Sequence, residues 1–216
     1  MNFCTKFEQL NSLPHTERQA TARYAQALQN QHYNHMEKIK AIDIELKKQF
    51  ETLNQIVSEV KLSEILEFKL DEAEEKIPWN EIVYSGIYLV EIKNNGTYTS
   101  INEWIDNFKA EWENEEYLRR FTPNLKKMRI KAHTNLNEWI PIYIGKSKNI
   151  GNRIHEHIFK ELEKTTFALK LMARRNLKNE IFRLKTLKIE VENYDAIVPR
   201  IEWQLRNSIN PIIGKQ

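Results

Sequence analysis

The sequence predicts an α/β chain of the α+β kind: a small, mainly antiparallel three-stranded sheet flanked by helices, preceded by a helical N-terminal region. Three observations predict it. Residues 1–80 contain no glycine and only the prolines Pro14 and Pro78, so little in them interrupts a helix. Strand-length runs of β-branched and aromatic residues follow at 84–92 and 140–144, and Leu187, Ile189 and Val191 alternate with Lys188, Glu190 and Glu192. Short links join the first strands, which favours antiparallel pairing.

In the first region, 1–80, the apolar positions Ile39, Ile42, Leu46, Phe50, Leu53, Val57 and Val60 recur at threes and fours. This is close to a heptad seam, which packs either on its own chain or on a second subunit. The seam spans about three heptads, the lower limit for a coiled coil, so an amphipathic helix on its own domain is the simpler reading. A further helix is expected over 62–77, ended by Pro78-Trp79-Asn80.

The second region, 81–216, opens with the strand at 84–92, stopped by Asn94-Asn95-Gly96. Ser100 followed by Glu103 is a capping box for a helix whose Trp104, Phe108 and Trp112 form an aromatic stripe, read as core. Lys127, Arg129 and Lys131 alternate with Met128, Ile130 and Ala132, the pattern of a strand with one basic face that either stays solvated or meets phosphate. After the strand at 140–144, Gly145-Lys146 makes a turn and Asn149 caps a helix. Ile150, Ile154 and Ile158 form its buried stripe, with Arg153 and His157 four residues apart along the edge. Another helix is expected over 165–178, ending in Arg174-Arg175-Asn176-Leu177-Lys178, and then a strand at 187–191. Asp195 caps a final helix with Ile197, Ile201 and Leu205 inward and Glu202 beside them, stopped by Asn210-Pro211.

Charge is unevenly spread. Residues 141–216 hold 15 Lys and Arg against 8 Asp and Glu, more than the whole chain's formal excess of +3. A polyanion would meet that segment first. Cys4 is the one cysteine, which excludes an internal disulfide and a cysteine zinc site and suits a reducing compartment. No apolar run approaches membrane-spanning length, and the N-terminus lacks a basic start followed by an apolar core. The expected location is therefore cytoplasmic, with no membrane partner.

Gly86-Ile87-Tyr88 on one strand and Tyr143-Ile144-Gly145 on another resemble the signature of the GIY-YIG nuclease family. The trailing pattern strengthens the resemblance: Arg153 stands ten residues after Tyr143, His157 four later, and Glu202 nine residues before Pro211. It covers 84–216. The two halves are usually joined by a short hairpin, whereas Tyr88 and Tyr143 lie 55 positions apart, so about 94–138 reads as a helix-plus-strand insertion. Insertions there resemble the restriction-endonuclease branch. Family members commonly carry an asparagine three residues past the proline; Gly214 stands there in this chain, and Asn210 is the candidate to replace it.

The resemblance implies a Mg²⁺- or Mn²⁺-dependent DNA endonuclease of the site-specific restriction type, acting on double-stranded DNA as a homodimer. It implies Glu202 as the metal-binding carboxylate and Tyr88 as the residue that orients and deprotonates the attacking water. Tyr143, Lys146 and His157 would be its neighbours, and Arg153 would face the phosphorane. The family pattern thus makes Tyr88, Tyr143, Arg153, His157 and Glu202 the candidate catalytic set. Chemically, a guanidinium fork matches two phosphate oxygens, whereas a phenol needs help to act as a base near neutrality. The candidate DNA contacts are Lys146, Lys127, Arg129, Lys131, Arg174, Arg175 and Lys178.

Overall fold

In the computed structural model, which describes residues 14–214, the chain divides into two units, Met1–Leu53 and Asn54–Gln216. The described part of the first unit belongs to one helix, α1 (His15–Glu59), which continues into the second. Its 15–53 portion exposes Leu28, Met36, Ile39, Ile42 and Leu46. The elements that follow are β1 (Ser63–Lys69), α2 (Ala73–Lys76), β2 (Gly86–Lys93), α3 (Ile101–Trp112), β3 (Asn124–Leu125), α4 (Lys127–Ile130) and β4 (Trp139–Ser147). Then come α5 (Ile150–Phe159), β5 (Ile181–Lys188), α6 (Tyr194–Ile209) and β6 (Ile213–Gly214). Short 3₁₀ turns precede α2 and β5.

The main sheet is antiparallel, in the order β1-β5-β2-β4, and β3 pairs with β6 apart from it. One core joins Tyr88, Val90 and Ile92 of β2 with Ile140 and Ile142 of β4, Phe182 and Leu184 of β5, the isoleucine stripe of α5 and the aromatic stripe of α3. Ile150, Ile154 and Ile158 are almost completely buried, each stabilising the fold by roughly 2 kcal/mol. The Asn149 side chain accepts from the Asn152 N–H at 2.9 Å and starts α5 as expected. At α3, Ser100 accepts from the Glu103 N–H, while Glu103 reaches back to Thr99. Trp104, Phe108 and Trp112 stack in the core.

Residues 94–138, the segment expected as an insertion, run between β2 and β4 and carry α3, β3 and α4. The Asn94 N–H donates to the Glu138 carbonyl at 2.8 Å, closing its neck, so β2 and β4 pair directly across it.

Five expectations need correction. The sheet has four strands, because 63–69 is β1 rather than part of a helix over 62–77. Its apolar residues also fit helical spacing, but Leu66 and Phe68 pair opposite Leu184 and Phe182, and Arg183 bonds Glu64 at 3.2 Å. Tertiary pairing outweighs local propensity there. The helical N-terminal region of 1–80 therefore ends at Glu59 as a long helix.

The last main strand runs over 181–188 rather than 187–191. Phe182, Leu184 and Thr186 point inward, the opposite parity to the expected Leu187, Ile189 and Val191. Lys127, Arg129 and Lys131 lie on and just after the single helical turn α4 and share no strand face.

The segment 165–178 has no α-helix. Its backbone serves α5 instead: Leu171 and Met172 N–H groups donate to the His157 and Ile158 carbonyls, satisfying that helix's last turn. Asp195 sits in the first turn of α6, whose N-cap position is Asn193 without a side-chain cap.

Candidate active-site cleft

The pairing of β2 with β4 places Tyr88 directly opposite Gly145, and Tyr143 opposite Val90. The two phenol rings stack at 6.2 Å between centroids. Gly145 is required by contact: a Cβ there would lie 2.3 Å from the Tyr88 Oη and 2.6 Å from Cζ. Gly86 is held as tightly, since a Cβ would meet the Leu187 carbonyl oxygen at 2.0 Å. The two glycines thus let neighbouring strands and a phenol occupy space that side chains would fill.

Both tyrosines meet α5. The Tyr88 Oη lies 2.7 Å from the His157 Nε2, and the Leu169 N–H donates to the His157 Nδ1 at 3.0 Å. A neutral imidazole that accepts at Nδ1 carries its proton on Nε2. His157 is fully buried, and burial, then the charge of Arg153, hold its pKa well below the ordinary value. It is therefore neutral and donates to Tyr88, leaving the phenol's own proton free to point elsewhere. Burial pushes the Tyr88 pKa well above the usual phenol value, and Tyr143 adds to this while Arg153 opposes it. Burial likewise raises Tyr143, against the pull of Arg153.

Arg153 is half-buried. It donates to Glu156 and to the Phe167 carbonyl, and its charge acts on Tyr88 and Tyr143 beside it. Burial disfavours its charge, but Tyr88, Glu156 and Tyr143 together hold its pKa above the ordinary arginine value.

From the opposite side α6 brings Glu202, only 6% exposed. Lys146 donates to its Oε2 at 2.8 Å, and Arg206, one helical turn on, donates to Oε1. Tyr88, Tyr143, Gly145, Lys146, Glu202 and Arg206 line one cleft of about 470 Å³, together with Lys126, Arg129, Ile144, Pro211, Ile213 and Gly214. Four cations thus face one carboxylate, the potential a phosphate group needs.

Comparisons with protein-family models, curated proteins and solved structures found no match.

Of the residues singled out from sequence, Tyr88, Tyr143, Lys146, Arg129 and Glu202 therefore line the cleft. Arg153 acts on the two phenols through its charge and is not in the lining, and His157 reaches the cleft through Tyr88. Lys127, Lys131, Arg175 and Lys178 are exposed and lie outside the lining.

Arg174 corrects an expectation. It is completely buried over the Trp112 ring at 3.7 Å and donates to the carbonyls of Leu169, Trp112 and Tyr117. Burial brings its pKa down to about 10. This arginine ties the 94–138 segment to the loop after α5, and none of it is exposed where a DNA contact was expected. Asn210 ends α6 in a left-handed conformation with its amide toward the Ser208 carbonyl, and it does not line the cleft.

Lys126 and Arg206 were missed. Arg206 follows Glu202 by four residues on a helix, a spacing that pairs side chains and was available in the sequence. Lys126 had no local signal, because only the pairing of β3 with β6 carries it to the cleft.

Proposed function

We propose that this protein is a GIY-YIG-type endonuclease that hydrolyses phosphodiester bonds of double-stranded DNA with Mg²⁺ or Mn²⁺, of the site-specific restriction type. One observation carries the reading: Tyr88, Tyr143, Lys146 and Glu202, from three separate elements, converge on one cationic cleft. Chance placement of a nuclease-like motif would not require the glycine opposite Tyr88 or the histidine behind it.

The donor set suits a single hydrated metal. Among the described residues no group of three or more His, Cys, Asp or Glu side chains gathers to hold an ion, and Glu202 is the one carboxylate in the cleft lining. Each Glu202 oxygen accepts one N–H, from Lys146 or Arg206, and a carboxylate has about four acceptor positions, so each oxygen keeps one. Such a site fits Mg²⁺ or Mn²⁺ held by Glu202, waters and the substrate phosphate. When bound, the ion supplies Lewis-acid stabilisation of phosphate and leaving-oxygen charge.

The chain's own groups divide the remaining work. Tyr88 Oη orients the attacking water and takes its proton once the phenol has lost its own. The phenol's proton leaves to solvent, and the His157 Nε2–H that donates to the phenolate oxygen, with the charge of Arg153 beside it, makes that loss easier. Arg153 lies beside the phenols, where it offsets charge gathering on the phosphorane. Lys146 and Arg206 hold the Glu202 carboxylate in place until substrate arrives.

A palindromic site calls for two copies related by a two-fold axis. The exposed Ile39, Ile42 and Leu46 on α1 offer the surface, and a homodimer at least on DNA is part of this proposal. So is a cytoplasmic location; among the described residues no helix is long and apolar enough to cross a membrane.

Incubating the protein with a defined genome and Mg²⁺, then sequencing the fragment ends, tests the reading. Recurrent ends within one short motif are expected. Scattered ends would favour a structure-selective or nonspecific repair or mobile-element nuclease. The pairing of both Glu202 oxygens favours one further alternative, a silent DNA-binding module, for which binding without ends over a range of divalent ions would decide.

A further inference from the structure

The insertion contributes to the cleft itself. Asn124 and Leu125 of β3 pair with Gly214 and Ile213 of β6, and the Lys126 N–H donates to the Ile212 carbonyl at 2.9 Å. This small sheet sets Lys126 on the cleft wall beside the segment that ends α6. Its stem passes over Gly214: a Cβ there would lie 3.7 Å from the Lys126 Cε and 3.8 Å from Cγ, an ordinary packing contact.

Arg129 is fixed nearby. It donates to the Arg206 carbonyl and, at 3.2 Å, to the Asn207 side chain. These are neutral acceptors, so among the described residues they leave its charge without an opposite partner. Of the cleft's four cations, Lys146 and Arg206 share the one carboxylate, Glu202. Lys126 and Arg129 are half-buried, and the charges acting on them are other cations. Burial, then Arg129, lowers the Lys126 pKa; burial, then Arg206, lowers that of Arg129. Partly desolvated cations gathered with no counter-charge among the described residues make a place for an anion.

We propose that Lys126 and Arg129 form a second phosphate subsite, beside the one built on Glu202, Lys146 and Tyr88. It takes the phosphodiester group adjoining the scissile one on the same strand. The inference rests on the endonuclease reading and adds to it that the insertion holds the strand at the point of cutting. Seating the neighbouring phosphate would fix the scissile one in the cleft, so binding at this subsite tells on the rate as well as on affinity.

The test uses the full-length protein and a duplex cleaved at a mapped position, in which single phosphates on either side of the cut are replaced by uncharged methylphosphonate. Lys126→Gln should weaken binding about tenfold at low salt and reduce the slope of log affinity against log salt by about one. One neutral linkage next to the cut should weaken wild-type binding clearly more than binding by the Lys126→Gln variant, in which Arg129 alone faces that phosphate, while Lys126→Arg restores the wild-type pattern. Thermal unfolding of each variant checks that the half-buried lysine is not needed for folding. A wild-type salt slope in Lys126→Gln, or the same interference pattern as wild type, would overturn the subsite. Wild type that binds and shows the interference at one linkage but never cuts would overturn the nuclease reading and keep the subsite. Absence of DNA binding would overturn both.

Discussion

Replacing Gly145 by alanine drives a methyl group into the Tyr88 phenol. The added carbon would stand 2.3 Å from Oη, 2.6 Å from Cζ and 3.1 Å from the Tyr143 Cε1. To regain ordinary contact the Tyr88 hydroxyl must withdraw by more than about 1 Å. It is fully buried, and its 2.7 Å bond to His157 breaks as it moves. Overpacking of this kind costs about 1–3 kcal/mol, and a buried donor left without its acceptor a similar amount, so a loss of about 2–6 kcal/mol is expected. On the proposed mechanism the displaced hydroxyl also lowers single-turnover cleavage by about 100-fold. Urea unfolding gives the stability and plasmid nicking gives the rate. In the Tyr88→Phe background the closest contact is gone, so the Gly145→Ala penalty should shrink. An unchanged urea midpoint for Gly145→Ala, or an equal penalty in both backgrounds, would refute the packing argument.

Three further predictions follow from the same geometry. His157 stays neutral in the folded protein while the unfolded chain takes up a proton below about pH 6.5, so its contribution to stability is present above that pH and lost as pH falls, by up to about 1.4 kcal/mol per unit. The stability advantage of wild type over His157→Gln should therefore narrow between pH 7 and 5 in urea titrations; a constant gap would count against a buried neutral imidazole. Because burial holds the Tyr88 phenol protonated, cleavage should rise by up to about tenfold per pH unit from neutral into alkaline solution, and a flat single-turnover profile from pH 7 to 9 would remove Tyr88 as the base. Arg174→Met, which leaves three carbonyls without their donor, should lose about 2–4 kcal/mol of stability yet keep the wild-type salt slope of DNA binding, and a reduced slope would return Arg174 to the DNA surface.

The cleft was more legible than the fold around it. Tyr88, Tyr143, Lys146 and Glu202 stand at spacings set by strand, turn and helix, and local structure carried them close to where the spacing pointed. Asn149 and Ser100 were readable for the same reason, since a cap acts within one turn. What was hidden depends on contacts between distant segments. The residues of β1 satisfy helical and strand spacing alike, and their partners in β5 decide the matter. Residues 165–178 have the composition of a helix, but their N–H groups are drawn to the end of α5 and to His157. Arg174 looked like a surface cation because a run of basic residues gives no hint of the indole waiting beneath it. Lys126 stood one residue before a run read as a basic strand, and its place at the cleft comes from β6, almost ninety residues later along the chain.

The central claim is that Glu202 makes this cleft a metal-dependent nuclease. Glu202→Gln keeps the size of the side chain and removes its charge, so the direct test is Mg²⁺-dependent conversion of supercoiled plasmid, with wild type and variant compared at concentrations that bind DNA equally. If Glu202 holds the ion, wild type gives nicked or linear plasmid only with Mg²⁺ or Mn²⁺, and the variant converts it at least about 100-fold more slowly. Equal cutting by both proteins, or intact plasmid from folded, DNA-bound wild type at every metal concentration, would contradict it.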